Sequence, residues 1–149
     1  MIMEIVKKDL EFINGRTDSS LMIKDAVEKN TSISMGIEER IVDIFLSIGI
    51  SAHLQGYQYL KEAIKLVIIS PECINSVTKQ LYPRIATMFS TTPCRVERGI
   101  RHALDVAYAK GKIVQLNKIF RLEIFSKDEK PTNSEFIAIL ADKLSLELK

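Results

Sequence analysis

The chain has 149 residues, of which 46% are hydrophobic and 27% are charged, and its formal net charge at pH 7 is +2. These values fit one globular domain that can bury a core. The net charge does not by itself indicate a class of partner, because +2 is too small to indicate a polyanion. The charge is uneven, since residues 1–36 carry five basic and six acidic groups, whereas residues 94–112 carry five basic and two acidic ones. Electrostatic arguments must therefore be local.

The spacing of the cysteines and the length of the apolar runs indicate the cellular compartment of the protein. Cys73 and Cys94 are 21 residues apart and form no CxxC motif, which favours a reducing cytoplasm and argues against a disulfide scaffold or a zinc finger. The longest apolar runs span only a few residues, too few to cross a bilayer, and the acidic start lacks an export signal. The sequence predicts a cytoplasmic protein with no membrane contact.

Residues 1–36 predict a short helical appendage and a linker. Apolar side chains recur at three- and four-residue steps from Met3 to Ile13, and Asn14 and Gly15 end that helix. A second short helix is predicted after Asp18 or Ser19, and residues 30–36 are predicted to form a linker. We therefore place a domain boundary after residue 36, with an effector domain over residues 37–149.

Helical periodicity continues through residues 37–89. One helix is predicted over 37–48 with Gly49 as its stop, a second over 57–70, and a third from Pro71 to Phe89. Pro83 lies inside the third, which predicts a kink or a junction of two helices. The predicted inward positions are Ile37, Ile41, Ile44, Phe45 and Ile48, then Leu60, Ile64, Val67 and Ile68, then Ile74, Val77, Leu81, Ile85 and Phe89.

The remaining residues predict three more helices. Thr92 and Pro93 form a good helix start, and Gly111 is the corresponding stop. A shorter segment over 114–120 and a polar loop over 126–130 lead to a last helix, which Thr132 and Glu135 open at capping-box spacing. Its predicted core face is Phe136, Ile137, Leu140 and Leu144. Strand alternation is conceivable only over 120–125, so the fold class is all-α, a bundle-like domain of about six helices.

The helix after Thr92 has two contrasting faces. At about 100° per residue, Val96, Ile100, Ala103, Leu104, Val106 and Ala107 form an apolar arc, opposite Arg95, Glu97, Arg98, Arg101, His102 and Asp105. Such a face is most often simply solvated. The preceding apolar-faced helix and the short turn into Thr92 are, however, typical of a helix-turn-helix, whose second helix enters the major groove of DNA. On this ground alone, a solvated face and a DNA-binding face both stay open.

Four blocks carry a resemblance to a known family: HLQGYQYLKEAI, TKQLYPRIATMF, TTPCRVERGIRHALDVAYAKG and KPTNSEFIAILADKLSLE. Together they resemble the DNA-binding effector domain of the stage zero sporulation A response regulators of spore-forming Firmicutes. The similarity runs from about residue 37 to residue 147, in order and almost without gaps. Four long blocks in register are more specific than any short motif.

The resemblance implies a helical domain that binds a short asymmetric box of double-stranded DNA, with the helix over 92–110 in the major groove. The family's base-contacting positions fall on Glu97, Arg98 and Arg101, and backbone contacts are implied at Arg95, His102 and Thr92. It also implies activation through the primary sigma factor by the region 111–124, here Gly111, Gln115 and Phe120, and binding as tandem copies or a homodimer. No cofactor or metal is implied.

Several positions depart from the family pattern. Pro93, Cys94 and Gly99 stand where alanine, serine and alanine are usual, and Tyr108 stands where a tryptophan is common. Glycine inside a helix is expected to cost about 1 kcal/mol relative to alanine. The match over 112–125 is looser than the four blocks, so activation is implied less strongly than DNA binding.

The family's receiver domain has no counterpart in residues 1–36, which are too few to hold that fold and lack its acidic cluster. We expect a natural short paralogue in preference to a cut-down form. This leaves a rival function open: a receiver-less antagonist that acts by protein–protein interaction with a full-length relative or with sigma factor. Target promoters, and activation versus repression, stay open.

Other reactive side chains have structural interpretations. Cys94 and His102 are eight residues apart on one helix, about 12 Å along its axis, too far for a nucleophile and its base. His53 is expected to cap or pack in a turn, and Cys73 is expected to be a small core residue. The sequence contains no glycine-rich phosphate-binding loop, no spacing typical of metal ligands and no catalytic pair. It therefore predicts that the protein is not an enzyme.

Overall fold

The computed structural model describes residues 36–148, and these residues are all-helical, with no strand among them. The chain divides into two compact units, Met1–Arg40 and Ile41–Lys149, and the packing reported below lies within the second. The two helices predicted in residues 1–29, and all of the predicted linker except Gly36, lie outside the described residues. Gly36 itself is helical. The all-α prediction is confirmed for the described part of the chain.

Six α-helices are described. The first, α1, covers residues 36–48. The others are α2 (Gln55–Ile69), α3 (Tyr82–Met88), α4 (Pro93–Ala109), α5 (Gln115–Phe120) and α6 (Asn133–Glu147). Between α2 and α3 the chain forms a 3-10 segment, Pro71–Ser76, and a π-helical turn, Val77–Leu81. Gly49 ends α1 in a left-handed conformation, with φ +80°, which glycine adopts without a steric penalty.

The core is formed by the apolar stripes that the periodicity indicated. Most of the predicted inward side chains are fully buried: Ile41, Ile44, Phe45, Ile48, Leu60, Ile64, Leu81, Ile85, Phe136, Ile137 and Leu140 are all 0% exposed. Cys73 is also buried, and the rings of Tyr57, Tyr59 and Tyr82 are each only 6% exposed. These three tyrosines are therefore core residues and not stacking platforms, because a buried ring presents no face to a base.

The long helix predicted from Pro71 to Phe89 is instead three short segments. The π-helical turn ends at Leu81 and α3 begins at Tyr82, with Pro83 in its first turn, where proline's missing N–H is not needed. The prediction of a junction near Pro83 is thus confirmed. The inward prediction for Phe89 is wrong, since it is 37% exposed in the turn after α3, with its ring edge-on to Tyr59 at 5.3 Å.

Helices α2 and α4 approach each other through two glycines. A Cβ placed on Gly56 would lie 1.9 Å from the carbonyl oxygen of Gly99 and 3.0 Å from the Cβ of Ala103. A Cβ placed on Gly99 would lie 2.9 Å from the ring of Tyr59. Helix propensity alone, which predicted that glycine at 99 is worse than alanine, leaves this packing out, because the carbonyl of Gly99 faces Gly56 and a Cβ at 99 would meet the ring of Tyr59.

The chain after α5 is irregular rather than a strand. Arg121 ends α5 in the left-handed conformation, with φ +55°. Asn117 then holds the following residues, because its amide donates to the carbonyl of Phe125 at 2.8 Å and its carbonyl accepts from the N–H groups of Ile124 and Phe125 at 3.3 and 3.0 Å. The predicted start of α6 is confirmed, since Thr132 Oγ1 accepts from the N–H of Glu135 at 3.1 Å.

Candidate nucleic-acid interface

The start of α4 is fixed by its cap. Thr92 has an extended conformation, φ −111° and ψ 152°, and its side chain accepts a hydrogen bond from the N–H of Arg95 at 3.3 Å. Pro93 occupies the first turn, where its fixed φ suits the helix. The backbone N–H groups at this end point out of the helix, so the first turn of α4 carries a partial positive charge.

The two faces of α4 are those that the helical wheel predicted. Its underside is buried to 1% exposure or less at Val96, Ile100, Ala103, Leu104 and Ala107, whereas Val106 is only half-buried. Its outer face exposes Arg95, Arg98, Arg101 and His102, and Glu97 and Asp105 are half-buried beside them. The structure therefore brings the five predicted DNA-contacting residues of α4 onto one solvent-facing side, over a rigid apolar base.

Ion pairs on this face leave a positive surplus near the helix start. Arg101 contacts the carboxylate of Glu97 at 2.5 Å, and Asp105 pairs with Lys130 from the loop before α6. Arg95, Arg98 and His102 form no ion pair with another residue between 36 and 148. Exposed pairs of this kind contribute only about 0.3–0.5 kcal/mol, so Glu97 and Arg101 can separate at little cost when a stronger partner arrives.

A tight turn joins α3 to α4. Ser90 is left-handed, with φ +52°, and the N–H of Thr91 reaches back to the carbonyl of Ala86 at 2.9 Å. A short helix, a tight turn and a longer helix that exposes its polar face follow one another here, which is consistent with the helix-turn-helix that the sequence predicted. The turn positions the capped end of α4 at the surface.

One polar cluster beneath the outer face could not be seen in the sequence. The side-chain amide nitrogen of Asn133 donates to the hydroxyl of Tyr82 at 3.1 Å and to the backbone carbonyl of Glu97 at 3.2 Å. Burial raises the pKa of the Tyr82 phenol above its usual value of 10.0, and the hydrogen bond from Asn133 opposes this. The Thr132 cap signals where α6 starts, but no local pattern indicates contacts 36 and 51 residues away.

The residues implied in sigma-factor contact lie apart from this face along the chain. Gly111 ends the turn after α4 with φ +68°, Gln115 is exposed at the start of α5, and Phe120 is half-buried at its end. Tyr108 donates its hydroxyl proton to the carbonyl of Lys127 at 2.8 Å, which fastens the loop over 126–130 to α4.

The described residues offer neither a metal site nor a membrane span. Between residues 36 and 148, no group of three or more His, Cys, Asp or Glu side chains could hold a metal ion. No helix in the same range is long and apolar enough to span a membrane. The expected turn role of His53 is supported, since its Nδ1 lies 2.8 Å from the hydroxyl of Ser51.

A comparison with protein families decides the assignment. The model of the family described as sporulation initiation factor Spo0A C terminal matches residues 41–144, which is well over half of the chain. The chain belongs to this family. The Spo0A C-terminal domain is a helical DNA-binding domain of sporulation regulators and is not a catalytic family. The matched range contains α2 to α5 and all but the last turn of α6, and therefore the whole polar face of α4.

Proposed function

We propose that the protein regulates transcription by inserting α4 into the major groove of a specific DNA box. The observation that carries this proposal is the outward arginine face of α4, held by a fully buried underside. A major groove about 12 Å wide admits an α-helix, and a helix-turn-helix presents the N-terminal half of its second helix to the base edges. The arginines and the glutamate lie in that half.

Arg98 and Arg101 are the proposed readers of guanine. Their guanidinium forks carry paired donors that match the O6 and N7 acceptors of guanine. Glu97 accepts from cytosine N4 or excludes bases that present acceptors. In the free protein Glu97 and Arg101 contact each other at 2.5 Å, so the same two side chains would exchange this contact for base edges on binding.

Arg95, His102 and Thr92 are the proposed backbone contacts. All three are exposed; Thr92 caps α4 and Arg95 lies in its first turn, where the helix dipole favours a phosphate. Contacts of this kind set register and affinity but carry no direct sequence information. Binding as tandem copies or as a homodimer, and contact of Gly111, Gln115 and Phe120 with sigma factor, are further proposals that rest on the resemblance.

The proposal is tested by fluorescence polarisation with the family's box and a scrambled duplex of equal length, at one stated salt concentration. Specific readers bind their sites typically 10³–10⁷ times more tightly than other DNA. We expect a clear preference for the box. Equal affinity for both duplexes would overturn sequence-specific reading. If the protein binds sigma factor tightly and has no affinity for either duplex, the antagonist function is favoured. That rival is motivated by residues 1–36, which lie almost wholly outside the described range.

Replacing Arg95 by alanine should weaken binding to all duplexes evenly. Removal of one phosphate contact should reduce the slope of log affinity against log salt concentration by about 0.9. Polarisation titrations of box and scrambled duplex between about 50 and 200 mM salt measure this slope. Lys118→Ala removes a charge from α5 and is the control, for which the slope should not change. A selective loss on the box alone would contradict a backbone role for Arg95.

A further inference from the structure

The amide of Asn133 joins three elements directly beneath the polar face of α4. Asn133 is the first residue of α6, Tyr82 is the first residue of α3, and Glu97 lies in the second turn of α4. Both bonds come from one nitrogen, at 3.1 Å to the Tyr82 hydroxyl and 3.2 Å to the Glu97 carbonyl oxygen. One amide nitrogen has two hydrogens, so this geometry uses its full donor capacity.

The Asn133 side chain is not needed to start α6. Thr132 already caps that helix through the N–H of Glu135, and alanine is acceptable at the position after a cap. The carbonyl of Glu97 lies inside α4, where the helix itself uses one of the two lone pairs. The bond from Asn133 is therefore an additional tie between α6 and the residue that carries the Glu97–Arg101 pair.

The surroundings make this tie directional. Tyr82 is only 6% exposed, so its ring is held by the core while its hydroxyl accepts from Asn133. A groove of about 410 Å³ opens beside the cluster and is lined by Glu97, Arg101, Lys130 and Asn133 among others. Without the amide, the apolar underside still holds α4 against the core. No other hydrogen bond in this cluster then restrains rotation of α4 about its axis, or its translation along that axis, at Glu97.

We infer that Asn133 is a positioning residue that sets the register of α4 on DNA and thereby its base specificity. This inference rests on the proposed function and adds a residue outside the helix-turn-helix to its machinery. A bidentate contact tolerates little displacement, because both hydrogen bonds weaken when the fork shifts or tilts. A small rotation of α4 would thus weaken base contacts more than phosphate contacts, which long flexible side chains can follow.

The test is Asn133→Ala, with affinity measured for the box and for a scrambled duplex. We expect the box-to-scrambled ratio to fall about tenfold, with scrambled affinity nearly unchanged because no charge is altered. Asn117→Ala is the matched control, since the same substitution removes side-chain amide hydrogen bonds that hold the chain after α5 rather than α4. It should lower the melting temperature at least as much and leave the ratio unchanged.

Two further variants keep the inference falsifiable. Tyr82→Phe removes one of the two acceptors and should lower the ratio less than Asn133→Ala does. This variant tests the inference even if Asn133→Ala does not fold. In an Arg101→Ala background, Asn133→Ala should lower the ratio by less than it does in the wild type, because only the Arg98 contact is left to be positioned. If Arg101→Ala lowers the ratio but Asn133→Ala and Tyr82→Phe do not, the inference fails and the proposed function stands; if the wild type binds the box and the scrambled duplex equally, the proposed function fails first.

Discussion

Gly56→Ala should destabilise the folded domain by about 3 kcal/mol or more, which is at or above the upper end for overpacked cores. The added Cβ would lie 1.9 Å from the carbonyl oxygen of Gly99 and 2.5 Å from its carbonyl carbon. Backbone atoms of α4 cannot rotate away as a flexible side chain can, so the two helices must move apart. We expect a fall in melting temperature of roughly 10 °C, measured by circular dichroism.

Two other glycines calibrate this result. Gly36→Ala is the matched control, because a Cβ at Gly36 meets nothing within 4 Å and alanine favours the helix. It should leave the melting temperature unchanged or slightly higher. The melting temperature of Gly99→Ala should lie between those of the other two variants, since its Cβ meets the ring of Tyr59 at 2.9 Å. A Gly56→Ala variant as stable as the Gly36→Ala control would contradict the close packing of α2 and α4.

Arg101→Ala should lower the ratio of box to scrambled affinity by roughly 5- to 150-fold, the equivalent of about 1–3 kcal/mol for a bidentate base contact. The substitution also leaves the carboxylate of Glu97 without its partner at 2.5 Å. That unpaired negative charge weakens binding to every duplex, so the ratio, rather than either affinity alone, is the quantity that reports base reading. Polarisation titrations at one salt concentration measure it.

Arg101→Lys separates charge from geometry. Lysine keeps the positive charge beside Glu97 but lacks the planar fork, so affinity for scrambled DNA should be nearly retained while the ratio still falls. Lys118→Ala, which removes a charge from α5, serves as the control for charge loss outside α4. Equal losses of Arg101→Ala on both duplexes would show that Arg101 contacts only the backbone.

Much of the fold follows from local chemistry that the sequence displays. The apolar stripes of α1, α2, α4 and α6 have the helical period, and Thr92 and Thr132 accept the hydrogen bonds that their positions predicted. The outer face of α4 was predictable for the same reason, because a buried underside determines which side chains remain outside. These features depend on neighbours within one or two helical turns.

The features that the sequence did not show depend on distant contacts. The glycine at 99 looks like a weak point of α4 until Gly56 of α2 is seen against it. Phe89 is exposed in the turn that contains the left-handed Ser90, although its place in the apolar period predicted an inward side chain. Asn133 lies 51 residues from Tyr82 and 36 from Glu97, and a single asparagine after a cap has many possible partners.

The most direct test of base reading by α4 replaces individual box guanines by 7-deazaguanine, which lacks the N7 acceptor in the major groove and leaves the phosphates unchanged. At a guanine read by Arg98 or Arg101, we predict a loss of wild-type affinity of roughly tenfold. The alanine variant of the reading arginine should be insensitive to the same replacement. Wild-type affinity that is unaffected at every guanine of the box would contradict reading of guanine by α4.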